Sequence, residues 1–256
     1  MLIDSHCHLD RIDLAPYEGS FANFMLAVAD NQIEHLLSIS IDLESYPTML
    51  SLVSDYSQIS VTVGVHPNEH NGKEPTVEEL VALAQAEKVI GIGETGLDYF
   101  RNEGELDWQH KRFRNHIETA KILKKPLIIH TREAKEDTLR ILREENAGEV
   151  GGIIHCFTED WAFAKDALDL GFYISFSGIV TFNSAKEIKE VAKKIPYDRF
   201  LIETDSPYLA PVPHRGKPNY PLYVRYVADC IADLRGTTFR DIAEQSNKNF
   251  RTLFTM

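Results

Sequence analysis

Short apolar runs alternate with segments of helical spacing along the whole chain, and this alternation most constrains the fold. The strand-like runs are rich in Ile and Val and are apolar throughout, as expected of strands buried on both faces. They fall at 2–5, 36–41, 60–65, 89–93, 127–129, 152–154, 172–176 and 200–204. Helical spacing of apolar residues occurs at 20–33, 43–55, 76–87, 109–124, 133–146, 159–170, 184–194 and 219–234, with an extra helix at 238–253.

The ends of successive strands are separated by about 22 to 36 residues, an interval that suits one strand, one helix and their loops. Eight such units in order predict an α/β protein of the (β/α)8 TIM-barrel class. A doubly wound sheet is the alternative, but polar residues end the strands evenly from the first to the last. No Ser/Gly-rich linker divides the chain, so we expect a single (β/α)8 domain over residues 1–256, with the extra C-terminal helix.

Composition narrows the functional classes. The net charge of −12 leaves too few cations for a broad basic face, so any nucleic-acid substrate must be bound locally. No apolar run approaches the roughly 18 residues of a membrane span, and the N-terminus lacks the features of a secretory signal. Three cysteines without disulfide spacing fit a reducing compartment, and a cytoplasmic protein is expected.

Six metal-ligand-type side chains end five of the apolar runs or closely follow them. A collection of imidazoles and carboxylates at strand ends predicts one open metal site with two ions. Cysteines at 7 and 156 alternate with the histidines and should face the opposite side of their strands. The predicted ligands are His6, His8, Glu94, His130, His155 and Asp205.

The predicted ligands divide into two groups. His6 and His8 lie two apart and share a face with each other, and Asp205 ends the eighth strand beside the first. Glu94 has two oxygens and is expected to bridge that ion to a second one held by His130 and His155. Two ions about 3.5–4 Å apart would activate a metal-bridged hydroxide. Asp205 and Glu94 are therefore the predicted catalytic residues, and Asp205 would accept the proton of the attacking water.

Further polar residues are expected around the ions. Glu203 and Asp4 each lie two residues before a predicted ligand and would orient it, unless they are buried for structural pairing alone. The candidates for substrate binding are His66 and Arg132 at strand ends, and His214, Arg215 and Lys217 in a basic, proline-rich loop at 206–220. Another long loop is expected at 95–108.

Seven motifs in order resemble the TatD family of metal-dependent deoxyribonucleases. They read DSHCHLD, GVHP, GETGLDY, HTREA, HCFTED, GFYISFSGIVTF and ETDSPYLAPVPHRGKPN, and the resemblance runs essentially from end to end. It implies a (β/α)8 barrel of amidohydrolase type and places the family's metal ligands on the same six residues. The family usually has Asp after the Arg of its HTRDA motif, where this chain has Glu133.

The resemblance implies hydrolysis of DNA phosphodiester bonds, as a 3′→5′ exonuclease on single-stranded ends. The expected cofactors are two divalent metal ions: zinc, manganese or magnesium, with cobalt and nickel also suited to this mixture of ligands. An amide or ester deacylase with the same binuclear centre is the alternative. A scaffold with purely structural metal is a third reading, which the cysteine-free ligand set disfavours. No membrane association and no obligate protein partner are indicated.

Overall fold

The computed structural model describes residues 1–100, 102 and 104–256, and a helix lies between each strand and the next. The strands are β1 Leu2–Cys7, β2 Ile33–Ser38, β3 Ile59–Val63, β4 Val89–Asp98, β5 Leu127–Arg132, β6 Gly152–Ile154, β7 Phe172–Phe176 and β8 Phe200–Ile202. The helices are α1 Phe21–Asp30, α2 Tyr46–Leu52, α3 Val77–Leu83, α4 Asp107–Leu123, α5 Lys135–Glu144, α6 Trp161–Asp169, α7 Lys186–Lys194, α8 Val224–Arg235 and α9 Phe239–Phe254.

The eight strands form one sheet in chain order, from β1 to β8. The strand pairs β1–β2, β3–β4, β4–β5, β5–β6 and β6–β7 are parallel. A parallel bridge between Cys7 and Ser206 joins the end of β1 to the segment after β8. A helix connects each strand to the next. This topology confirms the (β/α)8 fold class predicted from the sequence.

Local sequence explains where the elements begin. The helices α3 and α9 each start with a capping box, in which a threonine side chain and an acidic side chain three residues later satisfy backbone N–H groups. The pairs are Thr76 with Glu79 and Thr238 with Asp241. On α7 the buried residues Ile188, Val191 and Ala192 recur at helical spacing, so one stripe faces the core. No helix in the described ranges is long and apolar enough to cross a membrane.

Six strands differ from the sequence-based prediction at one end or both, and β2 and β4 differ most. The strand β2 starts at Ile33 rather than 36, although its second residue is Glu34 and its third is His35. The strand β4 continues to Asp98, because its residues from Thr95 onward pair with β5. Glu94 therefore lies within β4 rather than at its end, and the loop expected from residue 95 begins after Asp98. Arg101 and Glu103 in that loop lie outside the described residues.

The contacts within the chain define two compact units. Unit 1 comprises Met1–Ser38, Cys156–Trp161 and Ser175–Met256. Unit 2 comprises Ile39–His155 and Ala162–Ile174. That residues 1–256 form a single domain stays a prediction.

Apolar side chains are buried within both units. Phenylalanines fill much of the core in unit 1, where the fully buried ones include Phe24, Phe176, Phe200 and Phe250. In unit 2 the side chains of Phe113 and Phe172 are fully buried beside the aliphatic residues of β3 to β6. Burial of this kind stabilises the protein by roughly 25 cal/mol per Å² of apolar surface and fixes the polar residues that follow each strand.

Candidate metal centre

The first cluster of metal-ligand-type residues lies in unit 1 and contains three of the six predicted ligands. Asp205 Oδ1 is 3.3 Å from His8 Nε2 and 3.5 Å from His6 Nε2. The three ligand atoms all lie within 4.8 Å of one another. His6 is inside β1, His8 follows it directly, and the Asp205 N–H donates to the carbonyl oxygen of His6 at 2.9 Å. That hydrogen bond fixes the aspartate beside β1.

Asp205 has a left-handed backbone conformation, with φ of 57°. Most L-residues avoid this region, but Asp and Asn are enriched in it. Such a conformation turns the chain sharply after β8. The sharp turn and the bond to His6 together place a carboxylate at the histidines, and 13% of its side-chain surface remains exposed.

The two acidic residues predicted to support this cluster are both fully buried in unit 1. Asp4 accepts hydrogen bonds from the N–H of Thr204 at 2.9 Å, from its hydroxyl at 2.5 Å, and from the His6 N–H at 3.3 Å. Burial raises the pKa of Asp4 to about 8, against the opposing effect of the Thr204 bonds. Glu203 accepts from the Cys156 N–H at 2.7 Å. Asp4 thus fixes backbone on both sides of the cluster, and an orienting role for either residue stays a prediction.

The second cluster lies in unit 2, where three histidines converge on one oxygen of Glu94. From Glu94 Oε1, His155 Nε2 is at 2.7 Å, His130 Nδ1 at 3.1 Å and His66 Nε2 at 3.4 Å. The Glu94 carboxylate is 2% exposed. His130 and His155 were predicted as ligands here. His66, predicted to bind substrate, also belongs to a group of three with Glu94 and His130 that could hold a metal ion.

Charges within the second cluster shift the pKa values of its members. Burial alone would raise the pKa of Glu94, but the facing His155 and His66 and the hydrogen bond to His130 lower it well below its ordinary value. Burial lowers the pKa of His66, with Glu94 opposing. For His130, the hydrogen bonds to Asp98 and Glu94 outweigh burial and raise the pKa. Glu94 is therefore ionised, and imidazole rings surround its negative charge.

Sequence reasoning missed Asp98, a buried carboxylate in contact with the second cluster. Its Oδ2 lies 3.1 Å from His130 Nε2 and accepts from Asn68 Nδ2 at 2.7 Å. Gln109 of α4 binds the Asp98 backbone twice, accepting from its N–H at 3.0 Å and donating to its carbonyl oxygen at 3.1 Å. The signal was present in ETGLD, because residues four apart on a strand face the same side as Glu94.

Two further residues of α4 hold the segment that carries His66. The fully buried His116 accepts the Val65 N–H on Nε2 at 3.0 Å, and its Nδ1 lies 2.8 Å from the Arg112 carbonyl oxygen. Arg112 Nη1 donates to the His66 carbonyl oxygen at 2.7 Å. No role was predicted for His116 from the sequence. Its contacts show that α4 fixes the backbone on both sides of the His66 peptide.

The basic loop at 206–220 carries three of the predicted substrate-binding residues, all in unit 1. The Arg215 guanidinium lies 4.3 Å over the ring of Phe182. The imidazole of His214 stacks face to face on Tyr223, with ring centroids 4.0 Å apart. Lys217 is exposed. Aromatic rings thus restrict two of the three cationic or titratable side chains, which reduces the entropy lost when they bind a ligand.

This loop is anchored to the backbone next to the first cluster. Buried Asn219 donates through Nδ2 to the carbonyl oxygens of Thr204, at 2.8 Å, and of Tyr208, at 2.5 Å. The Tyr208 ring is half exposed and approaches His8 edge to face, with ring centroids 5.9 Å apart. In unit 2, the remaining candidate, Arg132, lies 3.7 Å over the ring of Phe100.

The cysteines next to the histidines have contacts of their own. Cys7 is buried and its thiol donates to the Leu37 carbonyl oxygen at 3.4 Å, while Cys156 Sγ lies 3.3 Å from the Ser177 hydroxyl. Neither belongs to a group that could hold a metal ion within residues 1–100, 102 and 104–256.

The donor atoms of both clusters fit divalent metal ions. Imidazole nitrogens supply lone pairs, and carboxylate oxygens supply the opposing charge. The ligand atoms lie within 4.8 Å of one another in the group His6, His8 and Asp205 and in the group His66, Glu94 and His130. Nitrogen and oxygen ligands without cysteine are typical of catalytic rather than structural sites. A (β/α)8 fold with clusters of this kind at and after its strands defines the class of metal-dependent hydrolases.

Comparison with known proteins agrees with this class. The sequence matches the family described as TatD related DNase over residues 3–255. The uncharacterized metal-dependent hydrolase YcfH of Escherichia coli K12 is 45% identical over 253 residues, which are 99% of this chain and 95% of that protein. The chain belongs to the TatD-related DNase family and is a metal-dependent hydrolase.

Two other similar proteins are informative. The 3′-5′ ssDNA/RNA exonuclease TatD of Klebsiella pneumoniae is 33% identical over 209 residues, covering 79% of this chain and 80% of that protein. The crystal structure of YJJV, a TatD homologue from E. coli K12, superposes with a TM-score of 0.91 at 25% identity, over 100% of this chain and 98% of that one. The structural likeness over the whole chain supports the (β/α)8 assignment.

Proposed function

We propose that this protein is a divalent-metal-dependent deoxyribonuclease that removes nucleotides from the 3′ ends of single-stranded DNA. The convergence of three histidines on Glu94, with the His6–His8–Asp205 cluster, carries the metal-dependent part of the proposal. The family and its 3′-5′ ssDNA/RNA exonuclease member support the substrate and the polarity.

The metal ligands proposed are the six predicted from the sequence, in two groups. His6, His8 and Asp205 would hold one ion. Glu94, with His130 and His155 at 3.1 and 2.7 Å from its Oε1, would hold another, and zinc, manganese and magnesium are the candidates. When bound, divalent ions polarise a phosphodiester and lower the pKa of a coordinated water toward about 7. That Glu94 bridges the two ions stays a prediction.

Asp205 is the proposed general base. Its Oδ1 faces His6 and His8, and its backbone is fixed by the bond to the His6 carbonyl oxygen, so one carboxylate oxygen is held in a defined position. Partial exposure of the side chain leaves a path for water and for the departing proton. General bases of this kind contribute about 10²–10⁴-fold to the rate.

Glu94 is the other proposed catalytic residue, and His66 assists it. The lowered pKa of Glu94 keeps it charged at neutral pH, as a metal ligand must be. Because His66 touches the same oxygen of Glu94, we place it at the reacting phosphate rather than farther along the substrate.

Phosphate groups of the strand would bind to cations that are already ordered. Arg215 and His214 are fixed on aromatic rings, Lys217 is exposed beside them, and Arg132 is fixed on Phe100. In a protein of net charge −12, such local cations are the means of holding a phosphodiester. The half-exposed ring of Tyr208 offers a face on which a base of any identity can stack.

The test is digestion of single-stranded DNA labelled at the 3′ or the 5′ end, with metal-replete enzyme and products resolved by length. We expect the 3′ label to appear first as a mononucleotide and the 5′-labelled strand to shorten stepwise. Asp205→Asn and Glu94→Gln should each reduce the rate by at least about 10²-fold. The matched controls Asp233→Asn and Glu118→Gln change exposed acidic residues on α8 and α4 and should keep full activity.

Two outcomes would contradict the proposal. If Asp205→Asn retained full activity with metal present, the assigned general base would be wrong. If the enzyme cleaved acylated amino acids while leaving oligonucleotides intact, the centre would serve the alternative reaction, amide or ester deacylation. The same assay with RNA determines whether the substrate range extends to that of the Klebsiella relative.

A further inference from the structure

His130 lies between two carboxylates, and only one arrangement of its proton suits a metal ligand. Its Nδ1 faces Glu94 at 3.1 Å and its Nε2 faces Asp98 at 3.1 Å. A neutral imidazole carries one N–H and one lone pair. The nitrogen that faces Glu94 must keep its lone pair if it is to bind an ion there, so the proton must reside on Nε2.

We propose that Asp98 is a positioning residue that sets the tautomer of His130, holding the proton on Nε2 and directing the Nδ1 lone pair to the metal position beside Glu94. The inference rests on the proposed ligation by His130. Metal-ligating histidines commonly donate their other N–H to a carboxylate, which fixes both tautomer and ring orientation.

The surroundings of Asp98 make it an acceptor only. Its Oδ1 accepts from the Phe100 N–H at 3.0 Å, and its Oδ2 accepts from Asn68 Nδ2 at 2.7 Å as well as facing His130. Asn68 is itself held, because its Oδ1 accepts from Asn102 Nδ2 at 2.5 Å. With donors on both oxygens and 1% exposure, the carboxylate has a single orientation.

The helix α4 holds the backbone of this residue as well. Gln109 is fully buried, and its amide binds both the N–H and the carbonyl oxygen of Asp98. Asp98 is also in register with Arg132 of β5, two residues beyond His130. Side chain and backbone are therefore fixed independently, which is what a positioning residue requires.

The substitution Asp98→Asn tests this assignment because an amide keeps the shape of the carboxylate and replaces one acceptor oxygen with an NH₂ donor. If the Asn oxygen stayed toward His130, its NH₂ group would meet the Phe100 N–H, and a backbone donor cannot reverse. The NH₂ group is therefore expected to face His130, because the side-chain amide of Asn68, unlike a backbone N–H, can rotate to turn its oxygen toward this group. There it would force the His130 proton onto Nδ1, where it blocks metal binding.

The experiment measures two quantities in the full-length, purified protein. The first is the tautomer of His130, read from ¹⁵N NMR of the imidazole and assigned with a His130→Gln variant. The second is the affinity for zinc, measured by competition with a chromophoric chelator. In zinc-loaded wild type we expect Nε2–H on His130. Asp98→Asn should weaken the zinc bound at this cluster by about 10–100-fold and should move the His130 proton to Nδ1. The control Asp137→Asn alters a carboxylate that accepts from Tyr99 and Arg140 and should change neither quantity.

Each result decides the matter. A proton on Nδ1 in zinc-loaded wild type would overturn the proposal without any variant, so it is testable even if Asp98→Asn does not fold. Unchanged affinity and tautomer in folded Asp98→Asn would also overturn it. A wild type with the expected tautomer but no activity on DNA would refute the proposed nuclease function while leaving the role of Asp98 intact.

Discussion

Acidification should destabilise this protein through His116, the buried histidine of α4. The ring is fully buried, its Nε2 accepts the Val65 N–H, and its Nδ1 lies at the Arg112 carbonyl oxygen. Burial lowers the pKa of His116 to about 4, with the bond to Arg112 opposing and the charge of Arg112 adding to the shift. Protonation would place a donor on Nε2 against the Val65 N–H and break that bond.

The pH dependence of stability arises because the pKa of His116 differs between the folded and the unfolded chain. The unfolded chain binds a proton at His116 below about pH 6.5, while the folded chain resists it down to about pH 4, so this contribution to stability is complete above pH 6.5 and is lost as the pH falls through that window. At about 1.4 kcal/mol per pH unit, the loss approaches about 3 kcal/mol at the acid end of the window. That is a large fraction of a typical free energy of unfolding of about 5–15 kcal/mol.

Urea denaturation followed by circular dichroism from pH 7.5 to pH 4 measures this contribution. Because other groups titrate in the same range, the informative quantity is the difference between wild type and His116→Gln. We expect that difference in unfolding free energy to shrink by about 3 kcal/mol on acidification, since Gln carries no titratable proton. His70→Gln, at an exposed histidine packed on Trp108, is the control and should follow wild type at every pH.

Parallel curves for wild type and His116→Gln would refute the reasoning, because they would mean that His116 titrates alike in the folded and unfolded chains. A repeat in the presence of chelator separates this effect from competition between protons and metal. Since His116 binds only backbone atoms in the contacts described, the difference should be the same with and without metal.

Three further outcomes are expected. Gly96→Ala should destabilise the protein by at least about 1–3 kcal/mol in thermal denaturation, because an added Cβ would lie 2.0 Å from the His130 carbonyl oxygen. The control Gly104→Ala, also at positive φ but in open space, should lower the stability by less. Asn219→Ala leaves the Thr204 carbonyl oxygen without its buried donor, so the free energy of unfolding should fall by about 1–3 kcal/mol. Because Asn219 anchors the basic loop, the KM for oligonucleotides should also rise. An unchanged KM would mean that this anchor has no part in substrate binding. Chelation should abolish hydrolysis while circular dichroism at neutral pH retains the folded signal, and re-addition of divalent metal should restore the rate; activity that persists after complete removal of metal would contradict metal dependence.

Most of the fold could be predicted from the sequence, because parallel strands buried on both faces read as short apolar runs between helical segments. β6, at Gly152–Ile154, and β7, at Phe172–Phe176, were predicted with the observed bounds. The strand β4 was predicted too short, since Glu94 looked like a strand end and its continuation to Asp98 depends on pairing with β5. Hydrogen bonding to a neighbouring strand leaves no periodic signal in a single chain.

The candidate site, like the fold, could be predicted from the sequence only in part. Grouping His6, His8 and Asp205 required only the strand order, and the structure places these side chains together. Asp98 and His116 were missed because their roles depend on contacts with residues more than 30 positions away in the chain, at His130 and Val65. His66 was expected to bind substrate, and only the structure shows that its ring reaches Glu94.

Anomalous diffraction from crystals saturated with zinc, recorded above and below the zinc absorption edge, tests the central claim most directly. The account predicts one anomalous peak for a zinc ion among His6, His8 and Asp205. It predicts a second peak beside Glu94, at bonding distance from His130 Nδ1 and His155 Nε2. The absence of zinc from either cluster, in crystals with zinc bound elsewhere, would contradict the assignment of these residues as the metal centre of a hydrolase.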